Sequence, residues 1–249
     1  MTSEAGDLTD DLFLGGRLRL LQPRRGHRAG GDAALLAAAG RSRLDDGATA
    51  VDLGAGTGAV GLAIAAFGAA RVTLVEIDPA LAALAEENAR RNGLADRVAV
   101  FAEDVVRLAA PAECADLVVA NPPFDAAGRF RVSPDAGKAL AHSAPEELLE
   151  DWARAAARLL RPGGSLVLIH RPEALNALLR ATERRFGAVR LRAIHPRADA
   201  PAARILLAAR KGGRGSLALL PPLVMHDAGG GFTPEVEAAQ RGEATLDMG

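Results

Sequence analysis

The chain has 249 residues, 49% of them hydrophobic, and a formal net charge of −1 at pH 7, which fits a single α/β domain able to bury its own core. Its one cysteine, Cys114, excludes an internal disulfide framework and a Cys-rich zinc site, so no metal is expected and a reducing cytoplasm is the natural compartment. No stretch approaches the roughly 18 apolar residues of a membrane-spanning helix, and the acidic start MTSEAGDLTDD has neither the charged nor the apolar region of a signal peptide.

Before Ala48 the chain is rich in arginine: Arg17, Arg19, Arg24, Arg25 and Arg28 follow one another between Gly15 and Gly31 with no acid among them. Such a stripe suits a polyanion, or equally a solvated face in a chain that uses arginine in place of lysine. From Ala48 onward, short apolar runs alternate with longer helical patterns, which predicts a mostly parallel sheet with helices on both faces. Strands are expected at ATAVDL, RVTLVEI, RVAVFA, ADLVVA, SLVLIH, AVRLRAIH and ARILLAAR, seven in all. Helices are expected over 60–67, 79–92, 145–160 and 172–186; each opens on proline or a small residue, and Gly93 and Gly187 close two of them. Asn92-Gly93 and Pro162-Gly163-Gly164 read as punctuation.

No helical pattern separates the last two strands, so they form an antiparallel hairpin at one sheet edge, joined by HPRADAP as a surface loop. A second basic stretch, Arg184 to Arg214, holds only one acid, Asp199. The glycine-rich, polar stretch from Gly229 is expected to pack loosely. The division that results is one domain over 1–249, with an N-terminal segment at 1–46, a core at 47–212 and a C-terminal extension at 213–249.

Val51-Asp52-Leu53-Gly54-Ala55-Gly56-Thr57-Gly58 follows a strand and precedes a helix. Its backbone turns tightly with no side chains over the amides, so a ligand can approach closely. Gly56, Gly58 and Gly61 also match the dinucleotide fingerprint, which keeps an NAD-dependent oxidoreductase open at this point. Glu76 closes the second strand about twenty residues later, where a carboxylate can accept from both ribose hydroxyls of an adenosyl group in either class of cofactor.

After the fourth strand stands Asn121-Pro122-Pro123-Phe124, at the carboxyl end of the sheet where open α/β folds keep their ligands. The two prolines fix φ and remove two amide donors, leaving carbonyls near Asn121 and Pro122 as rigid acceptors. The Asn121 side-chain oxygen and a neighbouring carbonyl can then take both protons of an amino group, while Phe124 stacks on the ring that bears it. An extruded base is the acceptor this arrangement suits, and single-stranded loops of RNA present one most cheaply. The segment 126–143 is too polar and too broken for a buried element; it is expected to close over the base, with Arg129, Arg131 and Lys138 as phosphate contacts. Trp152, in EDWARAAARLL, sits at helical spacing and reads as core.

DLGAGTG, VEID and Asp104 in AEDV resemble the ordered motifs of class I S-adenosylmethionine-dependent methyltransferases, and NPPF resembles the motif of those that methylate adenine N6, guanine N2 or glutamine N5. With FLGGRLRLLQPRRGHRAGGDAALLAAA and HPRADAPAARILLAARKG added, the stretch from Leu12 to Gly242 resembles the bacterial tRNA-valine adenine-N6 methyltransferase family. The resemblance implies a Rossmann-like seven-stranded sheet, S-adenosylmethionine as cofactor and RNA, tRNA above all, as partner. It implies cofactor contacts at Asp52, Gly54, Gly56, Glu76, Ile77, Asp104 and Asn121. By the same resemblance, Arg28, Gly31 and Asp32 are the matching candidates in a segment that covers the cofactor's amino-acid end, and Asn121, Pro122 and Phe124 those of the catalytic motif. Within the same chemistry, guanine-N2 methylation of ribosomal RNA stays open. Protein glutamine-N5 methylation fits less well, because the segment before Ala48 is too short for a helical recognition domain. A non-enzymatic RNA-binding module is the remaining alternative.

Overall fold

The structure is a computed structural model that describes residues 8–25, 28–45, 47–124 and 145–249. It opens with a hairpin absent from the expected elements, β1 (Leu8–Phe13) paired antiparallel with β2 (Leu18–Pro23). Helix α1 (Gly31–Arg41) follows, apolar on almost every side and accordingly buried.

The core then alternates β3 (Thr49–Leu53), α2 (Ala59–Ala66), β4 (Arg71–Val75), α3 (Pro79–Arg91), β5 (Val98–Phe101) and β6 (Ala115–Ala120). Beyond residue 144 come α4 (Pro145–Leu159), β7 (Leu160–His170), a 3-10 turn at Pro172–Ala174, α5 (Leu175–Glu183), β8 (Phe186–His195) and β9 (Arg204–Lys211). Two short strands, β10 (Ala218–Leu219) and β11 (Leu223–Val224), and α6 (Pro234–Gln240) complete the described elements.

The seven expected strands form one sheet in the order β8-β9-β7-β6-β3-β4-β5. Strands β3 to β7 run parallel, and β9 lies antiparallel to both β7 and β8, which is the anticipated edge hairpin. Strand β3 is buried along nearly its whole length, as a central parallel strand covered on both faces must be. One face is covered by α1, α2, α3 and α6, the other by α4 and α5.

Two expectations need correction. Pro162-Gly163-Gly164 does not precede β7 but lies inside it: the register jumps from Ala115↔Leu160 to Leu117↔Ser165, so the extra residues loop out as a bulge. The stretch after Gly229 is not loose. Val236, Ala239, Leu246 and Met248 are fully buried against α1 and α2, the Leu246 amide donates to the Ala38 carbonyl at 3.1 Å, and Arg43 reaches the Met248 carbonyl. Four apolar side chains among many polar ones outweigh the composition of the segment. Upstream, β10 and β11 extend the sheet beyond β8.

The hairpin is held by helix α3 rather than by another strand. Asn88 takes the Leu21 amide on Oδ1 at 2.7 Å and returns Nδ2 to the Leu21 carbonyl at 3.1 Å. Asn92, one helical turn on, does the same for Arg19 at 2.9 and 2.8 Å. Residues four apart on a helix share a face and residues two apart on a strand share an edge, so two asparagines stand in for a strand partner. Asn88 is 0% exposed and also donates to the Thr57 carbonyl at 2.9 Å, which ties the hairpin to the glycine loop.

Truncating Asn88 leaves buried backbone groups unpaired, at about 1–3 kcal/mol each. Asn88→Ala is therefore expected to lower the unfolding free energy by about 3 kcal/mol, and Asn92→Ala, whose bonds face solvent, by about 1 kcal/mol. Chemical denaturation measures both; equal, small shifts would show that the hairpin is held by other contacts.

Candidate functional site

The strand order reverses between β3, whose chain continues to β4 and β5, and β6, whose chain continues to β7. The crevice at the carboxyl ends of these two strands is where an open α/β sheet binds ligands. The glycine loop leaves β3 there, and Asn121 to Phe124 leave β6 beside it.

Buried side chains hold the loop in shape. The Val75 carbonyl accepts from the Gly54 and Ala55 amides at 2.8 and 2.9 Å. Glu76 accepts from the Gly56 amide at 2.7 Å on one carboxylate oxygen and from the Asp78 amide at 2.9 Å on the other. Asp52, 2% exposed, accepts from the Gly61 amide at 2.8 Å. Its carboxylate is thus turned under the loop and does not open into the crevice. Burial pushes its pKa up from 3.8 to about 7; the Gly61 amide pulls against this rise, and the Glu76 charge adds to it.

Two glycines are required by shape. At Gly61 a Cβ would stand 2.1 Å from a Leu74 methyl, so only glycine lets α2 pack on β4. At Gly54, with φ of 69°, a Cβ would meet the Trp152 ring at 2.5 Å. Trp152 is half-buried, packed against the core on the α4 side as the sequence reading expected, but it also presses on the loop and lines a small void with Leu53 and Pro122. Pro122 is buried there, while Asn121, Pro123 and Phe124 are partly open.

Ile77 is 39% exposed, directly after Glu76 and outside the core. Asp104 follows β5; its Oδ1 accepts from the Val106 amide at 3.0 Å, the cap of the turn that follows. The Glu76 amide donates to the Phe101 carbonyl at 3.0 Å, which brings the two strand ends carrying these acids together.

On the other side of the crevice, the Asn121 side-chain oxygen is buried with no hydrogen-bond partner among the described residues. The Phe124 ring meets the His170 ring edge-on, with centroids 5.0 Å apart and planes at 76°. The guanidinium groups of Arg171 and Arg204 each lie 4.9 Å from its centroid. Phe124 was expected to keep its face for a stacked base; in the structure arginine already stacks there, a planar cation satisfying the ring's negative face. These residues line a cleft of about 920 Å³ with Pro123, Glu146 and Glu173.

Sequence reading missed His170, Arg171 and Arg204. The signal was their place at the ends of SLVLIH and at the start of ARILLAAR, which the topology brings to the same sheet end as the Asn-Pro-Pro-Phe motif. His170 is 4% exposed, and burial holds its imidazole below the usual histidine pKa; the charges of Arg171 and Arg204 push the same way, against the raising effect of the Arg171 and Pro123 backbone.

The segment before β3 reaches this site through Asp32, while Arg28 braces the segment internally. Asp32, at the start of α1, pairs with Arg204 at 2.7 Å, and Arg28 pairs with Asp11 at 2.6 Å. Gly31 packs near Gln240 of α6. Several arginines of the two basic stretches are likewise committed within the chain: Arg19 to Asp10, Arg185 to Glu150, and the buried Arg192 to Glu235. The segment 126–143, with Arg129, Arg131 and Lys138, lies outside the described residues. No helix among the described residues is long and apolar enough to cross a membrane.

Against known proteins, residues 32–195 match the family described as methyltransferase small domain. A tRNA1(Val) (adenine(37)-N6)-methyltransferase of Porphyromonas gingivalis is 34% identical over 124 residues, 48% of either chain. A ribosomal protein L11 methyltransferase of Pelotomaculum thermopropionicum is 41% identical over 95 residues, 38% of this chain and 30% of that one. The chain thus spans about half or less of the length of these relatives. The crystal structure of a predicted O-methyltransferase from Agrobacterium tumefaciens, 33% identical, superposes with a TM-score of 0.72 over 86% of this chain and 98% of that one.

The raised pKa of Asp52 carries a stability signature. Its carboxyl binds a proton more tightly folded than unfolded, so its contribution is complete below pH 3.8 and is lost as pH rises through about 7. Asp52→Asn keeps the acceptor for Gly61 and removes the titration. In thermal melts without cofactor, the variant should gain stability relative to wild type as pH rises from about 5 to about 8; a difference independent of pH would mean an ordinary carboxylate.

Proposed function

The chain belongs to the methyltransferase small-domain family, whose methyl donor is S-adenosylmethionine, and from that premise we propose that it methylates an exocyclic amino group of a base in RNA, adenine N6 in tRNA. The observation that carries the acceptor is the Asn121 oxygen, buried and unpartnered at the carboxyl end of β6. A buried acceptor left unpaired costs about 1–3 kcal/mol. An amino group relieves that cost with one of its protons; a hydroxyl nucleophile would give up the only proton it has. Proteins similar to this chain are named for a tRNA base, for a ribosomal protein and for oxygen transfer, so the Asn121 motif, and not similarity, points to the acceptor.

The residues present fit the cofactor. Gly56, whose missing Cβ leaves open space, lets a ligand approach the loop backbone. Glu76 is the acceptor for ribose hydroxyls: each of its oxygens takes one backbone amide and keeps a further lone pair. Exposed Ile77 supplies an apolar face for an adenine ring, and Asp104 an acceptor for its amine. Asp52 serves through the loop, by holding Gly61. Bound in this crevice, S-adenosylmethionine supplies an electrophilic methyl group on a sulfonium.

Asn121 then orients the acceptor nitrogen by holding one N–H, and a carbonyl of the proline pair takes the other. Pro122 is buried and shares a small void with Trp152 and Leu53, and its ring fixes φ beside that carbonyl. Phe124 and its two guanidinium neighbours offer flat surfaces between which a base can insert, with one arginine displaced by it. A base in a duplex cannot reach this cleft, so the substrate is a loop or an extruded nucleotide.

Asn121→Ala is expected to lower the single-turnover rate of methyl transfer to RNA by about 10²-fold or more while the affinity for S-adenosylhomocysteine stays near that of wild type. Glu76→Ala should do the reverse first, weakening S-adenosylhomocysteine by about 1.5–3 kcal/mol in calorimetry, since its hydrogen bonds involve a charged group. Full activity in folded Asn121→Ala protein would remove the amine reading.

A further inference from the structure

The loop between β8 and β9, residues 196–203, stands between two clefts. Ala202 and Ala203 line the cleft of Phe124, while Pro196, Arg197 and Ala200 line a second one of about 450 Å³ with His226 and Gly230. That volume is in the range of small-ligand sites. The loop is braced from within: the Ala200 amide donates to the Arg197 carbonyl at 3.1 Å, the His195 ring donates from Nδ1 to the Ala200 carbonyl at 2.7 Å, and the Ala203 amide donates to the Ile194 carbonyl at 2.8 Å. Both clefts lie at one end of the sheet, because the carboxyl ends of β6, β7, β8 and β11 meet there with the start of the antiparallel β9. In the order β6, β7, β9, β8, β11, with neighbours about 4.8 Å apart, the strand ends that lead to Phe124 and to His226 are about 20 Å from each other along this rim. A few nucleotides of a single strand span that distance.

The second cleft offers an aromatic stack. His226 donates to the Pro196 carbonyl both from its amide and from Nδ1, each at 3.1 Å, which seats the imidazole against the loop. Phe232 stacks on that ring with centroids 5.0 Å apart and planes at 27°, and it is 43% exposed. The turn between them is tied by Asp227, whose Oδ1 accepts from the Gly229 and Gly231 amides at 2.8 and 3.1 Å. Neither ring belongs to the buried core. Charge does not favour a phosphate here, since Arg197 is offset by Asp199 on the same loop and by Asp227 in the turn. A flat, uncharged group suits such a surface, and every nucleic-acid base has a π face to offer it.

We propose that this cleft is a second base-binding subsite, in which a nucleotide flanking the acceptor on the same RNA strand stacks on the His226–Phe232 pair. The proposal rests on the reading of the first cleft as the site of an RNA base and extends that reading along the strand. A flanking base held here selects which nucleotide reaches Phe124, and its binding energy is available to position the amine.

The test is fluorescence anisotropy of the S-adenosylhomocysteine-saturated chain with two labelled RNA pentamers. One is penta-adenylate; the other has abasic riboses at every position but the middle, so it keeps the phosphates and a single base. Wild type should bind penta-adenylate about tenfold more tightly, the worth of a stacked base. His226→Asn combined with Phe232→Leu should remove most of that ratio and leave the salt dependence unchanged, because no phosphate contact is lost. Phe232→Trp should keep the ratio. Equal affinities in wild type, a ratio that survives in the folded double variant, a reduced salt slope in that variant, or no binding of either pentamer would each overturn the proposal. Methyl transfer to RNA, assayed on the same wild-type protein, separates the two ideas. Methylated RNA with a ratio indifferent to His226 and Phe232 would sink the subsite alone. A ratio that depends on them without any RNA methylation would sink the amine acceptor alone.

Discussion

A backbone that reverses direction over a few residues cannot pair all of its own amides and carbonyls: between Gly54 and Gly61 the Gly58 amide reaches the Ala55 carbonyl, and other groups of the stretch must look elsewhere. Three of these are satisfied from outside by buried side chains: Glu76 on the Gly56 amide, Asp52 on the Gly61 amide and Asn88 on the Thr57 carbonyl. The rest of the molecule is arranged to bring them there. Glu76 follows β4, Asp52 belongs to β3, and Asn88 belongs to α3, which in turn carries the N-terminal hairpin. The loop is consequently shaped before any ligand arrives, and the entropy of ordering it belongs to folding instead of binding.

The acceptor side is tied to that loop by contact. Trp152 of α4 presses on Gly54 and shares a void with Pro122, so the two halves of the crevice are spaced by one aromatic side chain. From the other direction Arg204 joins Asp32, at the head of α1, to the ring of Phe124. The segment expected to cover the cofactor thereby touches the residue expected to meet the base. The residues proposed for the cofactor and those proposed for the acceptor belong to one connected set of contacts, which suits the in-line transfer proposed between them.

Much of this was legible in the sequence, for reasons that can be named. The seven strands announce themselves because buried parallel strands are apolar runs bounded by turns, and the loop because only glycine tolerates its φ values and its packing on Leu74. The β1–β2 hairpin was missed because its partner is a pair of helical side chains, Asn88 and Asn92, whose spacing of four reads as an ordinary polar helix face. The tail beyond Gly229 was misjudged because composition counts its glycines and charges, whereas burial depends on where Val236, Leu246 and Met248 fall. His170 and Arg204 could not be joined to Phe124 from sequence, since their meeting depends on β9 turning back antiparallel beside β7. The two arginine stretches looked like an open polyanion surface; much of their charge is neutralised by Asp10, Asp11, Asp32, Glu150 and Glu235, which lie far away in sequence or on another element.

On the proposed reading, the pocket beside Asn121 receives a base amine from RNA. Its most direct test is transfer of labelled methyl groups from S-adenosylmethionine to total RNA and to total protein of a strain lacking this chain, followed by nucleoside mass spectrometry of the labelled fraction. Label is expected in the tRNA fraction, recovered as N6-methyladenosine. Label confined to protein, or recovered on a ribose or other oxygen, would contradict it.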